Sequence, residues 1–333
     1  MKKLWQLLVL GLVACALPST VSAQSLGLNL AATDPDAATS SLNPTDVAGV
    51  VPQPNWNNLE LNTGTDVGGL VLSTGAASGA TVSWNGPNTW RSTTGNNAFP
   101  AGPNRVLTAG YLDTNNTAEG AATVTVNNLD AALRTPAYDV YVYFVSDSGA
   151  DRGGGYTLND GINSVLKYGS TMASPSSFIE DPGTDVNNSI DGTFLRFRRM
   201  TGSSFTLTGD ATLTTPNGFR APINAVQIHA RPQRGDVNGD GSVNITDFHI
   251  IRSNLFKTGQ TDEQGDIFGS GGIVDFADYR EWKSHASPAA VAASVALLGG
   301  VPEPSSGMLL ALGAGLALVA RRRAGRNPHR WAA

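Results

Sequence analysis

The chain has 333 residues, of which 22 are Lys or Arg and 27 are Asp or Glu. Residues 24–300 contain 15 basic and 26 acidic residues, a net charge of −11, and a segment this acidic binds phosphate backbones poorly, so nucleic acid is not an expected partner. Cys15 is the single cysteine and lies near the N-terminus, which excludes disulfides and thiolate metal sites from the rest of the chain.

The N-terminal segment, residues 1–23, has the pattern of a signal peptide. Lys2 and Lys3 give it a positive start, an apolar run too short to span a membrane follows, and Val21–Ala23 provides the small residues of a cleavage site. The alternative is a lipoprotein signal, since Leu12–Cys15 has the shape of a lipobox. Both interpretations predict export.

The first two thirds of the exported chain has the sequence pattern of β-strands. Residues 24–48 show little periodicity and are interpreted as a flexible leader or a first edge strand, whereas residues 49–230 alternate short apolar runs with Gly, Asn and Asp clusters. The expected strands are residues 69–73, 80–84, 122–126, 138–146, 156–159, 194–198, 204–208 and 223–229. We therefore predict a mainly β fold, an antiparallel, jelly-roll-like β-sandwich of about eight to ten strands.

Two of these runs carry a resemblance. Tyr138–Val145 and Arg220–Ile228 look like strands of galactose-binding-like β-sandwich domains, which implies that the sandwich binds a polysaccharide or a protein. Exposed aromatic and polar side chains hold sugars in such domains, and the expected glycan-binding residues are Trp56, Trp84, Trp90, Arg152 and Tyr156. The alternative for the aromatic residues is that they fill the core of the sandwich.

A catalytic role is the alternative for the sandwich. Paired carboxylates are what glycoside hydrolysis requires, and the available residues are Asp139, Asp147, Asp151, Glu180 and Asp181. Acidic side chains on loops are also ordinary surface residues. The four histidines lie at or after the end of the sandwich, beginning with His229, so a Ser-His-Asp site is not expected. Our prediction is a non-catalytic protein.

The sequence pattern changes at residue 235, where a loop rich in Asp, Asn and Ser begins. Side-chain oxygens occur at positions 1, 3, 5, 9 and 12 of a twelve-residue run, supplied by Asp236, Asn238, Asp240, Asn244 and Asp247. Calcium takes about six to eight hard oxygen ligands in a flexible shell. Gly241 permits a sharp turn, Ser242 can offer its carbonyl, and a helix follows whose first turn contains Asp247. The run predicts a calcium loop that resembles an EF-hand.

A second copy of the loop and helix begins about thirty residues later. Its expected ligands are Asp266, Asp275 and Asp278, but the run from the first to the last has thirteen residues, and Phe268 stands where an oxygen ligand is required. Counting back from Asp278 instead places Ile267 at position 1. Neither register gives a full shell, so we predict strong calcium binding in the first loop and weak or no binding in the second.

Residues 235–284, with two loop–helix units in tandem, resemble a type I dockerin. The resemblance implies calcium as the cofactor and a cohesin-like protein, or another surface protein, as the partner. It also implies that partner contacts lie at two positions of each loop and two positions of each helix. These are Ile245, Thr246, Arg252 and Ser253 in the first copy, and Phe276, Ala277, Lys283 and Ser284 in the second.

The C-terminal end has its own pattern. Residues 285–300 are interpreted as a linker. In residues 301–333, Pro302-Glu303-Pro304 precedes a short apolar stretch, Met308–Ala320, and an arginine cluster follows. This order resembles the PEP-CTERM sorting signal, which implies an exosortase-type protease as a partner. The alternative is a plain membrane anchor, since a short transmembrane segment followed by arginines fits the positive-inside rule.

The combined prediction is an exported protein of the cell surface or extracellular matrix. It binds a glycan or a protein through the sandwich and a cohesin-like partner through a calcium-dependent dockerin. The alternative is a polysaccharide-active enzyme that carries a dockerin.

Overall fold

The structure is a computed structural model that describes residues 24–30, 40–92, 96–114, 121–147, 152–187, 190–213, 220–231, 233–238, 242–268 and 272–299. The expected signal peptide and sorting tail lie outside these residues. The chain forms two compact units, one with all the strands and one with the last three helices.

The first unit is mainly β, and its described part contains fourteen strands and two short α-helices. The strands are β1 (Ser25–Leu30), β2 (Asn57–Leu59), β3 (Thr63–Val67), β4 (Thr81–Asn85), β5 (Asn88–Arg91), β6 (Gly110–Asp113), β7 (Ala122–Asn127), β8 (Ala137–Tyr143), β9 (Gly153–Asn159), β10 (Ser164–Thr171), β11 (Asp191–Gly192), β12 (Phe194–Met200), β13 (Phe205–Asp210) and β14 (Ala225–Arg231). The helices are α1 (Pro103–Leu107) and α2 (Ala131–Arg134).

These strands form two large sheets and one small one. The first sheet has the order β12-β8-β14-β1-β2, the second has the order β11-β10-β9-β13-β7-β4-β3, and β5 pairs with β6. Most neighbours are antiparallel, as expected, but β1–β2 and β10–β11 are parallel. One hydrophobic core joins the inner faces of both large sheets, an arrangement consistent with a β-sandwich.

Alternation of side chains explains which face of the second sheet is buried. In β7 the residues Ala122, Val124 and Val126 are buried, and the threonines between them are not. Strand β13 repeats the pattern with Phe205 and Leu207 inside. Because successive side chains of a strand point to opposite faces, the apolar residues of both strands fill the core.

The first sheet is covered on both faces around β8. Every residue of β8 is buried, and a second apolar cluster that includes Trp56, Leu107, Tyr143 and Phe194 packs beside the main core. A strand buried on both faces has a near-continuous apolar run rather than an alternating one, and Tyr138–Ser146 is such a run, interrupted by Asp139.

Residues 24–48, expected to be a flexible leader or a first edge strand, contain β1, which is an inner strand of its sheet. Residues Ser25–Leu30 are all buried, and β1 lies inside the first sheet between β14 and β2. Its Asn29 is tolerated there because the side-chain amide donates to Ser40 O at 2.6 Å and to Asn58 Oδ1 at 2.8 Å. Leu26, Leu28 and Leu30 alternate with polar or small residues, which is a local strand signal, but the two strands that flank β1 are distant in the sequence.

The described part of the second unit contains three α-helices, namely α3 (Ile245–Asn254), α4 (Phe276–His285) and α5 (Pro288–Gly299). Its core includes Phe248, Ile251, Trp282 and Ala290. Helix α5 differs from the linker expected at residues 285–300. Because Ala290 is buried in this core, α5 is a structural part of the unit.

Candidate functional site

The first loop–helix unit is organised around a buried carboxylate. Asp247 is 0% exposed and accepts hydrogen bonds from three backbone N–H groups. Its Oδ1 accepts from Val237 at 2.7 Å and from Asn238 at 3.1 Å, and its Oδ2 accepts from Asn244 at 2.8 Å. The carboxylate at the start of α3 therefore fixes both ends of the loop to the helix.

The second unit repeats this arrangement around Asp278. Its Oδ1 accepts from Ile267 at 2.7 Å and from Phe268 at 2.8 Å, and its Oδ2 accepts from Asp275 at 2.7 Å. The two carboxylates thus hold corresponding backbone groups in the two halves. Because Val237 and Ile267 are equivalent, Asp266, and not Ile267, corresponds to Asp236, the first expected ligand of the first loop.

Both helices begin with the same cap. The side chain of Asn244 accepts from Thr246 N at 2.7 Å, and that of Asp275 accepts from Ala277 N at 2.6 Å. Each forms a capping box with the aspartate three residues later, which satisfies backbone donors of the first helical turn. The extra residue of the second loop therefore lies between Phe268 and the cap.

Aromatic packing joins the two halves. The rings of Phe248 and Trp282 lie 5.2 Å apart, and those of Tyr279 and Trp282 lie 5.9 Å apart. Trp282 Nε1 donates to Asn244 O at 3.1 Å, so the second helix supports the cap of the first. Tyr279 OH and Ser294 Oγ are 3.2 Å apart, which connects the pair to α5.

The first loop offers the hard oxygen donors that calcium requires. Asp236 and Asp247 are buried, and Asn238 and Ser242 are exposed. Within the residues that the structure describes, no group of three or more His, Cys, Asp or Glu side chains is placed to hold a metal ion. Asp240, expected at the centre of this loop, lies outside them.

The second loop offers fewer donors. Phe268 occupies the place of Asn238 and is 50% exposed. Asp266 Oδ2 accepts from Gly272 N at 2.7 Å, and Asp275 serves as the helix cap. The described carboxylates of this loop are thus engaged by backbone amides, and a phenyl ring replaces an oxygen ligand. The donor set fits calcium better in the first loop.

The residues expected to contact a partner fall into two matching sets. Arg252 and Ser253 on α3 are exposed, as are Lys283 and Ser284 on α4. The two serines match in detail, since each Oγ donates to a carbonyl three residues earlier, at 2.8 Å and 2.7 Å. A basic side chain and a serine therefore occupy equivalent, accessible positions on both helices.

The loop positions of the two sets differ. Ile245 and Ala277 are half-buried, Thr246 is exposed, and Phe276 is 55% exposed. The Phe276 ring contacts the ring of Phe256, with centroids 5.6 Å apart. The second half therefore presents an aromatic pair, Phe256 and Phe276. Sequence reasoning missed Phe256, although an aromatic residue directly after a polar helix end was a usable signal.

Most of the aromatic residues expected to bind a glycan belong to the core, so that expectation is wrong for them. Trp56 is 5% exposed and Trp84 is 6% exposed, and their indole N–H groups donate to backbone carbonyls. Tyr156 is 0% exposed and its OH donates to Pro222 O at 2.9 Å. Trp90 is 43% exposed and Arg152 is half-buried, so these two remain accessible.

The carboxylates considered for catalysis have structural partners. Asp139 is 0% exposed, 2.7 Å from Arg196 and 3.3 Å from Arg231. Asp181 accepts from two backbone N–H groups, and burial raises its pKa. The remaining described pairs are Asp147 with the OH of Tyr111 and Glu180 with Arg198. Asp151 lies outside the described residues.

A cleft on the second sheet is a further feature of the first unit. It lies on the solvent side of β7, β9 and β13 and has a volume of about 470 Å³. Its lining includes Thr125, Thr157, Thr206 and Thr208. Sequence reasoning did not identify it, although the repeated Thr-x-Thr spacing in β7 and β13 was the available signal.

Two loop–helix units with the same buried carboxylate, cap and surface residues define a duplicated cation-loop module. Residues 234–270 match the model of the dockerin type I domain, so the C-terminal region contains a type I dockerin. Type I dockerin domains bind calcium, which makes Ca2+ the cation of this module. A dockerin implies a cohesin as its binding partner.

Residues 300–324 match the PEP-CTERM protein-sorting motif, which implies processing by an exosortase. Together the two matches indicate an exported, cell-surface protein. No curated protein and no solved structure matches the chain. In the described part of the chain, no helix has the length and apolar character needed to cross a membrane; the expected transmembrane segment, Met308–Ala320, lies outside that part.

Proposed function

We propose that this protein is held at the cell surface by calcium-dependent docking of residues 235–284 onto a cohesin-like protein. The observation that carries the proposal is the pair of equivalent, exposed sets on α3 and α4, Arg252 with Ser253 and Lys283 with Ser284. Exposed basic side chains beside hydroxyls can bond to carboxylates of a partner without leaving buried groups unpaired.

Calcium supports docking by ordering the loops. Carboxylates gathered around an empty loop repel one another, and a unit of this size has a small core, so cation binding and folding are expected to be coupled. Because Asp247 holds the loop to α3 through three backbone N–H groups, ordering of the loop also fixes the helix that carries Arg252.

Surface plasmon resonance against a panel of immobilised type I cohesin domains tests this proposal. In calcium, the protein lacking residues 1–23 should bind at least one domain, and EDTA should abolish binding. Arg252→Ala combined with Lys283→Ala should weaken binding at least about tenfold. The matched control is Arg280→Ala, which removes an exposed charge from the same helix, α4. Binding unaffected by EDTA, or no binding to any domain, would contradict the proposal.

For the sandwich we propose ligand binding without catalysis. The described carboxylates that could act in hydrolysis each hold an arginine, a tyrosine or backbone amides, which is the environment of structural carboxylates. A reducing-sugar release assay across common polysaccharides tests this assignment. Steady release of sugar by purified protein would instead favour the polysaccharide-active enzyme.

A further inference from the structure

On the solvent side of the second sheet, β7, β9 and β13 carry a patch of hydroxyl and amide side chains. Strand registers place Thr125 beside Thr206, and Thr206 beside Asn159, in one row across three strands. The next row contains Thr208 and Thr157 with Thr123. Neighbouring rows are about 7 Å apart along the strands, and neighbours within a row are about 4.8 Å apart. The cleft described above therefore has a floor of evenly spaced hydroxyl and amide groups.

This cleft carries little charge, although residues 24–300 have a net charge of −11. Of the residues described as lining it, Asp160 alone is ionisable. Its carboxylate accepts four hydrogen bonds, at 2.6 to 3.0 Å, from the backbone N–H groups of Ile162, Asn163, Thr201 and Gly202. Asp160 therefore stabilises a turn at the end of the cleft and is not available to a ligand.

The chemistry of the lining restricts the ligand. Hydroxyls and amides both donate and accept hydrogen bonds, and the methyl groups of threonine pack against apolar C–H surfaces. Anionic polymers are disfavoured because the described lining has no basic residue. Large aromatic ligands are disfavoured because the one aromatic ring of that lining, Phe205, is 2% exposed.

We infer that the cleft over β7, β9 and β13 binds a neutral polysaccharide chain. Its hydroxyls bond to the threonine rows, with Thr206 at the centre of the surface because it pairs with residues of both neighbouring strands. The inference extends the ligand-binding role proposed for the sandwich and uses none of the dockerin residues. It places the site on the opposite side of the sheet from the buried Trp84 and Tyr156.

The test is affinity electrophoresis and isothermal titration of the protein lacking residues 1–23. The probes are hydroxyethyl cellulose, xylan and galactomannan as neutral polymers, with polygalacturonate as the anionic comparator. We expect binding to at least one neutral polymer and none to polygalacturonate. Thr206→Val, which removes one hydroxyl and keeps the shape of the side chain, should weaken binding about three- to tenfold.

Two further variants make the result decisive. Thr206→Lys places a long side chain over the cleft and should abolish binding while the thermal midpoint stays within a few degrees, because the position faces solvent. The matched control is Thr65→Val on β3, an exposed threonine outside the cleft lining, which should bind as the parent does. Binding of no neutral polymer, or equal binding by the parent and both Thr206 variants, would overturn the inference.

A chelator separates this inference from docking. EDTA should leave glycan binding unchanged, because the cleft is built from sheet residues of the first unit, and it should abolish binding to a cohesin domain. Glycan binding without cohesin binding would contradict only the proposed docking. Cohesin binding without glycan binding would contradict only the cleft.

Discussion

Buried aspartates determine much of the local structure in both units. Asp160, Asp247 and Asp278 each accept from three or four backbone N–H groups. A carboxylate that accepts several such bonds is stabilised in its charged form. Burial opposes this effect at Asp160, but the four backbone bonds prevail and lower its pKa to about 2.

The depressed pKa of Asp160 predicts a loss of stability in acid. The stabilisation is fully present above the unfolded-state pKa of about 3.9 and is lost as pH falls through about 2, where the folded form becomes protonated. The wild type should lose about 2 kcal/mol more of unfolding free energy than Asp160→Asn between pH 5 and pH 2. Urea denaturation at several pH values measures this difference, and parallel pH curves for the two proteins would contradict it.

Replacing Phe256 by glycine should maintain or raise the stability of the protein, although the contact between the rings of Phe256 and Phe276 is lost. The φ of Phe256 is 66°, a left-handed conformation that costs about 1–2 kcal/mol for residues other than glycine, and its ring is 64% exposed. Phe256→Gly should therefore keep or raise the thermal midpoint. Phe276→Ala is the control, because it removes the same ring contact without relieving the backbone. A fall in stability larger for Phe256→Gly than for Phe276→Ala would count against the strain.

Among the elements, the sequence predicted strands where short apolar runs lie between turn-forming residues. Strands β4, β7, β8, β9, β12, β13 and β14 overlap expected runs, and in β4, β7 and β13 the buried apolar residues occur at every second position. Residues 69–73 were expected to form a strand but contain only an isolated bridge at Val71.

The elements that were missed lack a local signal. Strand β10 contains a lysine and two serines among its eight residues. Helix α5 consists mostly of Ala, Val and Leu, a composition that a linker to an apolar tail shares. Tertiary packing decided each of these elements, so composition alone could not.

Because α5 contributes to the core of the dockerin unit, a substitution in this helix should lower the stability of that unit. Ala290 is 7% exposed in the core of that unit, so Ala290→Asp buries an unpaired carboxylate and should cost about 2–4 kcal/mol. Val295→Ala on the same helix is the control, because Val295 is 52% exposed. Hydrogen–deuterium exchange of peptides covering residues 276–285 should accelerate in the first variant only. Unchanged exchange would mean that α5 does not support α4.

At the scale of the whole molecule, the sequence predicted the two units correctly but did not predict the surface of the sandwich that could bind a ligand. The mainly β unit and the dockerin were both predicted, because the strand pattern and the oxygen spacing are visible in the sequence. Trp56, Trp84 and Tyr156 of the expected glycan site are buried, and the sequence could not show this because burial depends on which sheet covers which face. The rows of threonine in the cleft depend on strand register, which the sequence does not display.

We expect the dockerin to be an asymmetric calcium module. The two halves share the carboxylate, cap and surface residues, yet Phe268 and an extra residue interrupt the second loop. Isothermal titration of the protein lacking residues 1–23 with calcium counts the high-affinity sites, with Asp236→Ala as the variant of the first loop and Asp266→Ala as its match in the second. We expect one high-affinity site that Asp236→Ala removes and Asp266→Ala leaves in place; two equal high-affinity sites, or a high-affinity site that survives Asp236→Ala, would contradict it.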